Sequence, residues 1–152
     1  MKTLRKPLVN ATIISVISIF YALVFIVTSG HIEFERILSH ADTLSNTFWN
    51  GWSDFLRQGN MKYIGYAYIV ISFAIVIISF IRKKEYDEYQ TSIFKKGIVV
   101  MGIAMVFLFP IALLLVLSDP VYCIETMMFL VVIHWSIVLI VDFVYVIGRV
   151  KS

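Results

Sequence analysis

The sequence is short of charge, cysteine, glycine and proline, and each shortage removes a class of protein. Lys, Arg, Asp and Glu make up 15% of the 152 residues, against about 25% in an ordinary soluble domain. So few charges cannot cover a water-facing surface, which excludes a soluble globular enzyme and a disordered chain. The single cysteine, Cys123, cannot close an internal disulfide, so a disulfide-rich scaffold is excluded. With 7 Gly and 3 Pro a collagen-like chain is excluded too. There is no phosphate-cradling glycine loop, no H-E-x-x-H, no G-x-S-x-G and no nucleotide fingerprint. Facing carboxylates of the aspartyl-protease kind are missing as well, since Asp142 is the only acid within an apolar stretch. The expectation is therefore no enzyme and no cofactor. Thirteen basic against ten acidic residues leave a formal net charge of +3, too little for a nucleic-acid surface.

Apolar sequence fills the space that these absences leave. Hydrophobic residues make up 60% of the chain and mean hydropathy is +0.88. Pro7 to Gly30, Tyr63 to Ile81 and Gly97 to Ser118 are free of charge, and a fourth stretch from Thr126 to Gly148 is interrupted only by Asp142. A spanning helix needs about 20 apolar residues at about 1.5 Å each to cross a core about 30 Å thick. The backbone must satisfy its own hydrogen bonds there, so each stretch is expected to be a helix. The reading is an all-α integral membrane protein of one domain over 1–152. Its four-transmembrane-helix bundle has spans at about 7–30, 62–82, 97–118 and 124–148, with an amphipathic helical segment in the first extracytoplasmic loop, 31–60.

Charge distribution orients these spans. Lys2, Arg5, Lys6, Arg82, Lys83, Lys84, Lys95, Lys96, Arg149 and Lys151 fall at one side, whereas the other receives only Arg36, Arg57 and Lys62 together with most of the acids. Basic segments stay in the cytoplasm, so both termini and the middle loop are expected inside a cell membrane crossed several times. The first apolar run is too long for the h-region of a cleaved signal, about 7–15 residues, and is read as a retained helix. No lipidation motif accompanies it.

The first outer loop is patterned. Phe34, Ile37, Leu38, Ala41, Leu44, Phe48, Trp52, Phe55 and Leu56 fall within an arc of about 120° when wound at about 100° per residue. This predicts an amphipathic helix, broken or bent at Asn50-Gly51 because both are poor interior residues. Two readings are open. The helix can lie in the interface with Trp49 and Trp52 at headgroup level, or it can serve as a cap or partner surface through Phe34, Leu38, Phe48, Trp52 and Phe55. His31 and Glu35 share a helical face and His40 follows Glu33 by two turns, but each pair supplies two ligands where zinc takes three or four, so no metal site is expected.

Within the spans, Ala11, Ser15, Ser18 and Ala22 in the first helix, and Gly65, Ser72 and Ser79 in the second, recur at helical spacing. Since lipid is as apolar as Leu, helices associate where small residues let backbones approach, and the first two helices are expected to form a close antiparallel pair. Pro110 lies in mid-span and frees the carbonyl of Val106. His134 and Asp142 are the ionisable residues inside the fourth span, about 12 Å apart along the axis. An intramembrane carboxylate is costly and needs a reason. One reading is structural, a hydrogen bond from Asn10 or Tyr145 to Asp142. The other is a step for a proton or cation, in which His134 and Asp142 are linked through water or another helix.

The outline is similar to that of tetraspanins and claudins, but both depend on outer-loop cysteines that this chain lacks, so nothing is carried over from them. The expected function is that of a non-enzymatic accessory, interaction or protective component of the membrane. Its expected partners are the lipid bilayer and another membrane protein or a second copy of itself. The alternative is a subunit of an oligomeric channel or of a proton- or cation-coupled transporter.

Overall fold

A computed structural model of the chain describes residues 7–38, 47–81 and 88–147, apart from the side chains of Pro7, Leu8 and Gln90. It is all-helical: α1 (Pro7–Thr28), α2 (Ile32–Ile37), α3 (Thr47–Arg57), α4 (Met61–Ile81), α5 (Glu88–Ser118), a 3-10 turn at Pro120–Tyr122, and α6 (Cys123–Ile147). Four of these, α1, α4, α5 and α6, are long and apolar enough to cross a membrane. At about 1.5 Å per residue, even the shortest exceeds about 30 Å.

The small residues explain which helices meet first. Ala11, Ser15, Ser18 and Ala22 of α1 are buried, as are Gly65, Ser72 and Ser79 of α4. Ser15 Oγ donates to the Ser72 carbonyl at 3.3 Å. A β-carbon on Gly65 would lie 2.9 Å from the Ala22 carbonyl oxygen and 3.0 Å from Ile26 Cγ1, so only glycine permits this backbone approach. At the loop end, Gly30 (φ 81°) and Gly59 (φ 68°) adopt left-handed turns that bulkier residues disfavour. A β-carbon on Gly59 would sit 3.4 Å from Gly30 N, so the two turns lie against each other. They tie the end of α1 to the start of α4.

Helix α6 docks on this pair through large side chains with polar tips. Trp135 Nε1 donates to Ser18 Oγ at 3.1 Å, and Ser18 in turn donates to the Ile14 carbonyl at 2.7 Å. Tyr21 stacks on Trp135 with ring centroids 4.1 Å apart. Tyr68 donates to the Val132 carbonyl at 2.9 Å, and its oxygen lies 3.0 Å from Ser136 Oγ. Such bonds between packed helices fix both register and rotation.

Helix α5 is held differently, resting on α6 and on the 3-10 turn. Ala112 is its only buried hydrophobic among the described residues, and Val106, Phe107, Leu114 and Leu117 are exposed. Pro110 is exposed and the helix continues through it. The helix also begins at Glu88, well before the expected start at Gly97. Glu88 suits the positive end of the helix dipole, Phe94 packs on Tyr145 at 4.7 Å, and Lys95 and Lys96 face outward. Nothing therefore opposes the extra turns.

Candidate functional site

Two clusters of polar side chains lie at opposite ends of α6. The first is at the loop end, where α3 packs across the start of α6. Trp49, Ser53 and Leu56 form the buried edge of α3. Trp49 stacks on Tyr122 at 6.2 Å, and Phe48, Trp49 and Trp52 all meet the Phe129 ring edge-on at 5.3 to 6.0 Å. Trp52 stacks on Phe55 at 5.3 Å, and Tyr122 donates its hydroxyl to Asn50 Oδ1.

This packing corrects two expectations about the loop. The backbone breaks at Leu38, which is extended (φ −72°, ψ 149°), whereas α3 runs unbroken through Asn50-Gly51. Gly51 costs about 1 kcal/mol of helix propensity, and the Tyr122–Asn50 bond with the aromatic contacts on either side outweighs it. The buried aromatic is Trp49, which lies outside the expected stripe, while Phe48 remains 54% exposed. Leu38 is buried, and Phe34, Trp52 and Phe55 are half-buried against the core. Ala41 and Leu44 of the stripe, His40 and Asp42 lie outside the described residues.

At the centre of the contact is Glu125, in the first turn of α6 and 0% exposed. Its carboxylate accepts a hydrogen bond from Ser53 Oγ at 3.0 Å, and its carbonyl accepts one from Trp52 Nε1 at 3.0 Å. Arg57 Nη2 donates to the same Ser53 hydroxyl at 3.4 Å and lies 3.7 Å from Asp54. A carboxylate is also favoured by the dipole at a helix N-terminus. In the sequence Glu125 falls among the acids of the outer side. The available signal was its position inside the first turn of an apolar run, next to Thr126. His31 is exposed and Glu35 half-buried at the adjoining α2.

The second cluster is at the end of the bundle near the termini. Asp142 is 1% exposed, and both carboxylate oxygens are buried without a hydrogen-bond partner. Asn10 Nδ2 donates to Tyr145 Oη at 3.4 Å. The expected bond from Asn10 or Tyr145 to Asp142 is therefore replaced by a bond between those two, because Asn10 reaches α6 one turn beyond Asp142. Phe94 closes over Tyr145 from α5. The antiparallel register places Ser79, whose Oγ is also buried without a partner, at this end of α4.

His134 lies elsewhere. It lines a cavity of about 150 Å³ with Tyr21, Met105, Leu130, Val131 and Trp135, between α1 and α5. Its Nδ1 is buried without a hydrogen-bond partner, and Trp135 meets its ring edge-on at 6.3 Å. The fold thus gathers Asn10, Tyr145 and Asp142 at one level but leaves His134 in a separate cleft. Another groove of about 410 Å³ separates α4 from α6 and is lined by Tyr68, Val70, Ile71, Ala74 and Phe143 among others. Among the described residues no three His, Cys, Asp or Glu side chains are grouped so as to hold a metal. No protein family, curated protein or solved structure matches the chain.

Proposed function

We propose that the protein is a non-enzymatic accessory component of a cell membrane that acts by lateral association with another membrane protein. One observation carries this reading: α5 spans 31 residues yet buries a single hydrophobic side chain, Ala112, among those described. Such a helix has most of its circumference available for packing against a neighbour in the bilayer. The apolar edge of α3, by contrast, is largely occupied by α6. The amphipathic loop segment then acts as a cap on this end of the bundle, with Ile37 and Phe48 the described stripe residues left most open to a partner. By the distribution of basic residues, the loop end is outside and the termini are in the cytoplasm.

Affinity purification from native membranes in mild detergent tests the reading. Val106→Trp and Leu114→Trp keep α5 apolar but alter its exposed face. They should release a co-purifying membrane protein while leaving the protein folded. Recovery of the same partner with both variants would contradict α5 as the contact.

Asp142 supports a second reading, a subunit of an oligomeric channel or of a proton- or cation-coupled transporter. A buried carboxylate without a hydrogen-bond partner is costly in hydrocarbon and marks proton and ion pathways in other membrane proteins. The two cavities are largely apolar side clefts, so a pathway would have to form between copies of the chain.

A further inference from the structure

We propose that Asp142 is a proton-binding site inside the membrane, whose carboxyl exchanges its proton through the end of the bundle near the termini. Both oxygens are closed off and accept no hydrogen bond. An ionised carboxylate placed there would have lost its water without gaining donors, which is the least favourable state such a group can take. On α6 the neighbouring polar group is Tyr145, and on α1 it is Asn10; these are bonded to each other. From α5 the side chain closing over Tyr145 is Phe94, while Lys95 and Lys96 face outward. Helix α4 brings Ser79 to this end. Among the described residues, no Lys, Arg or His forms an ion pair with Asp142.

Two alternatives are poorer fits. A hard metal cation gathers about six or more oxygens, whereas among the described residues no three His, Cys, Asp or Glu side chains are grouped around Asp142. A basic side chain from another protein would need an open face, and Asp142 is 1% exposed. A proton needs neither a cavity nor further ligands. Its route is short, since Ile147, the last described residue of α6, lies five residues on, about 8 Å along the axis.

The inference deepens the transport reading by naming the ion, but it does not depend on flux. A protein that binds this proton without carrying it would retire the transport reading and leave the site intact. The test uses the full chain in lipid nanodiscs with the apolar reagent dicyclohexylcarbodiimide, which attacks carboxyl groups in their protonated form, followed by peptide mass mapping. Asp142 should be modified in mildly acidic buffer. The extent should fall by about tenfold for each pH unit on the alkaline side of its midpoint, and sodium or potassium should not protect it. Asp142→Glu should retain the reaction at that position and Asp142→Asn should abolish it. Three results would each overturn the proposal in folded wild-type protein: no modification of Asp142 at any pH, modification that does not change with pH, or protection by sodium or potassium. Glu125, the other buried carboxyl among the described residues, is separated from Asp142 by chymotryptic sites at Phe129 and Trp135, so a chymotryptic digest scores the two independently.

Discussion

Gly65 and Gly51 show how differently one residue type can act at two places. A β-carbon at Gly65 would collide with the Ala22 carbonyl and with Ile26, whereas at Gly51 it would meet nothing within 4 Å. Gly65→Val should therefore push α4 from α1 and cost about 1–3 kcal/mol. Gly51→Ala should be neutral or stabilise α3 by up to about 1 kcal/mol. Thermal unfolding in detergent measures both; equal effects would mean that the close approach of α1 and α4 is wrong. The small-residue rows were legible in the sequence because their spacing alone encodes a face. The partner of Ser18 and the lack of a hydrogen-bond partner at Asp142 were not. Trp135 reaches Ser18 from across 117 positions, and no periodicity within one helix records such a pairing. That Asn10 bonds Tyr145 and not Asp142 likewise depends on how α1 and α6 pack, which leaves no trace in spacing.

Among the elements, α3 is the one whose role changed most between sequence and structure. Its apolar spacing implied that one side needs cover, because apolar side chains at helical spacing have to be covered by something. The pattern could not say which edge would be covered. Trp49 is buried because Tyr122 and Phe129 present rings to it from the start of α6, and those rings belong to a distant part of the chain. Trp49→Ala should cost about 3–5 kcal/mol and release α3. Glu125→Ala removes the acceptor for Ser53 and should cost about 1–3 kcal/mol. Both should expose the Thr47–Arg57 backbone to hydrogen exchange or protease, and Phe48→Ala should do so much less. Equal protection in all three variants would show that α3 does not depend on α6. The early start of α5 was hidden for a related reason: Lys95 and Lys96 read as a loop boundary, although exposed lysines sit readily on the surface of a helix.

For the molecule as a whole, composition and charge carried most of the information. Four long apolar runs are a property of local sequence, and they reappear as the four long helices. The asymmetry of basic residues leads to the proposed orientation, which an impermeant maleimide tests. In a Cys123→Ser background, Gln58→Cys at the exposed turn before α4 should be labelled in intact cells. Lys95→Cys should be labelled only after the membrane is opened, and the reverse pattern would invert the topology. Function was the least legible part, because a lateral interface in lipid uses the same apolar residues as a surface that faces lipid alone. The bare face of α5 is where the two interpretations separate. The most direct measurement is therefore the composition of the complex recovered from native membranes, alongside ion flux through the purified protein in proteoliposomes. The account predicts a stoichiometric membrane partner that is lost on Val106→Trp and Leu114→Trp, with no flux from the protein alone. Recovery as a homo-oligomer that conducts protons or cations and needs no other protein would contradict it.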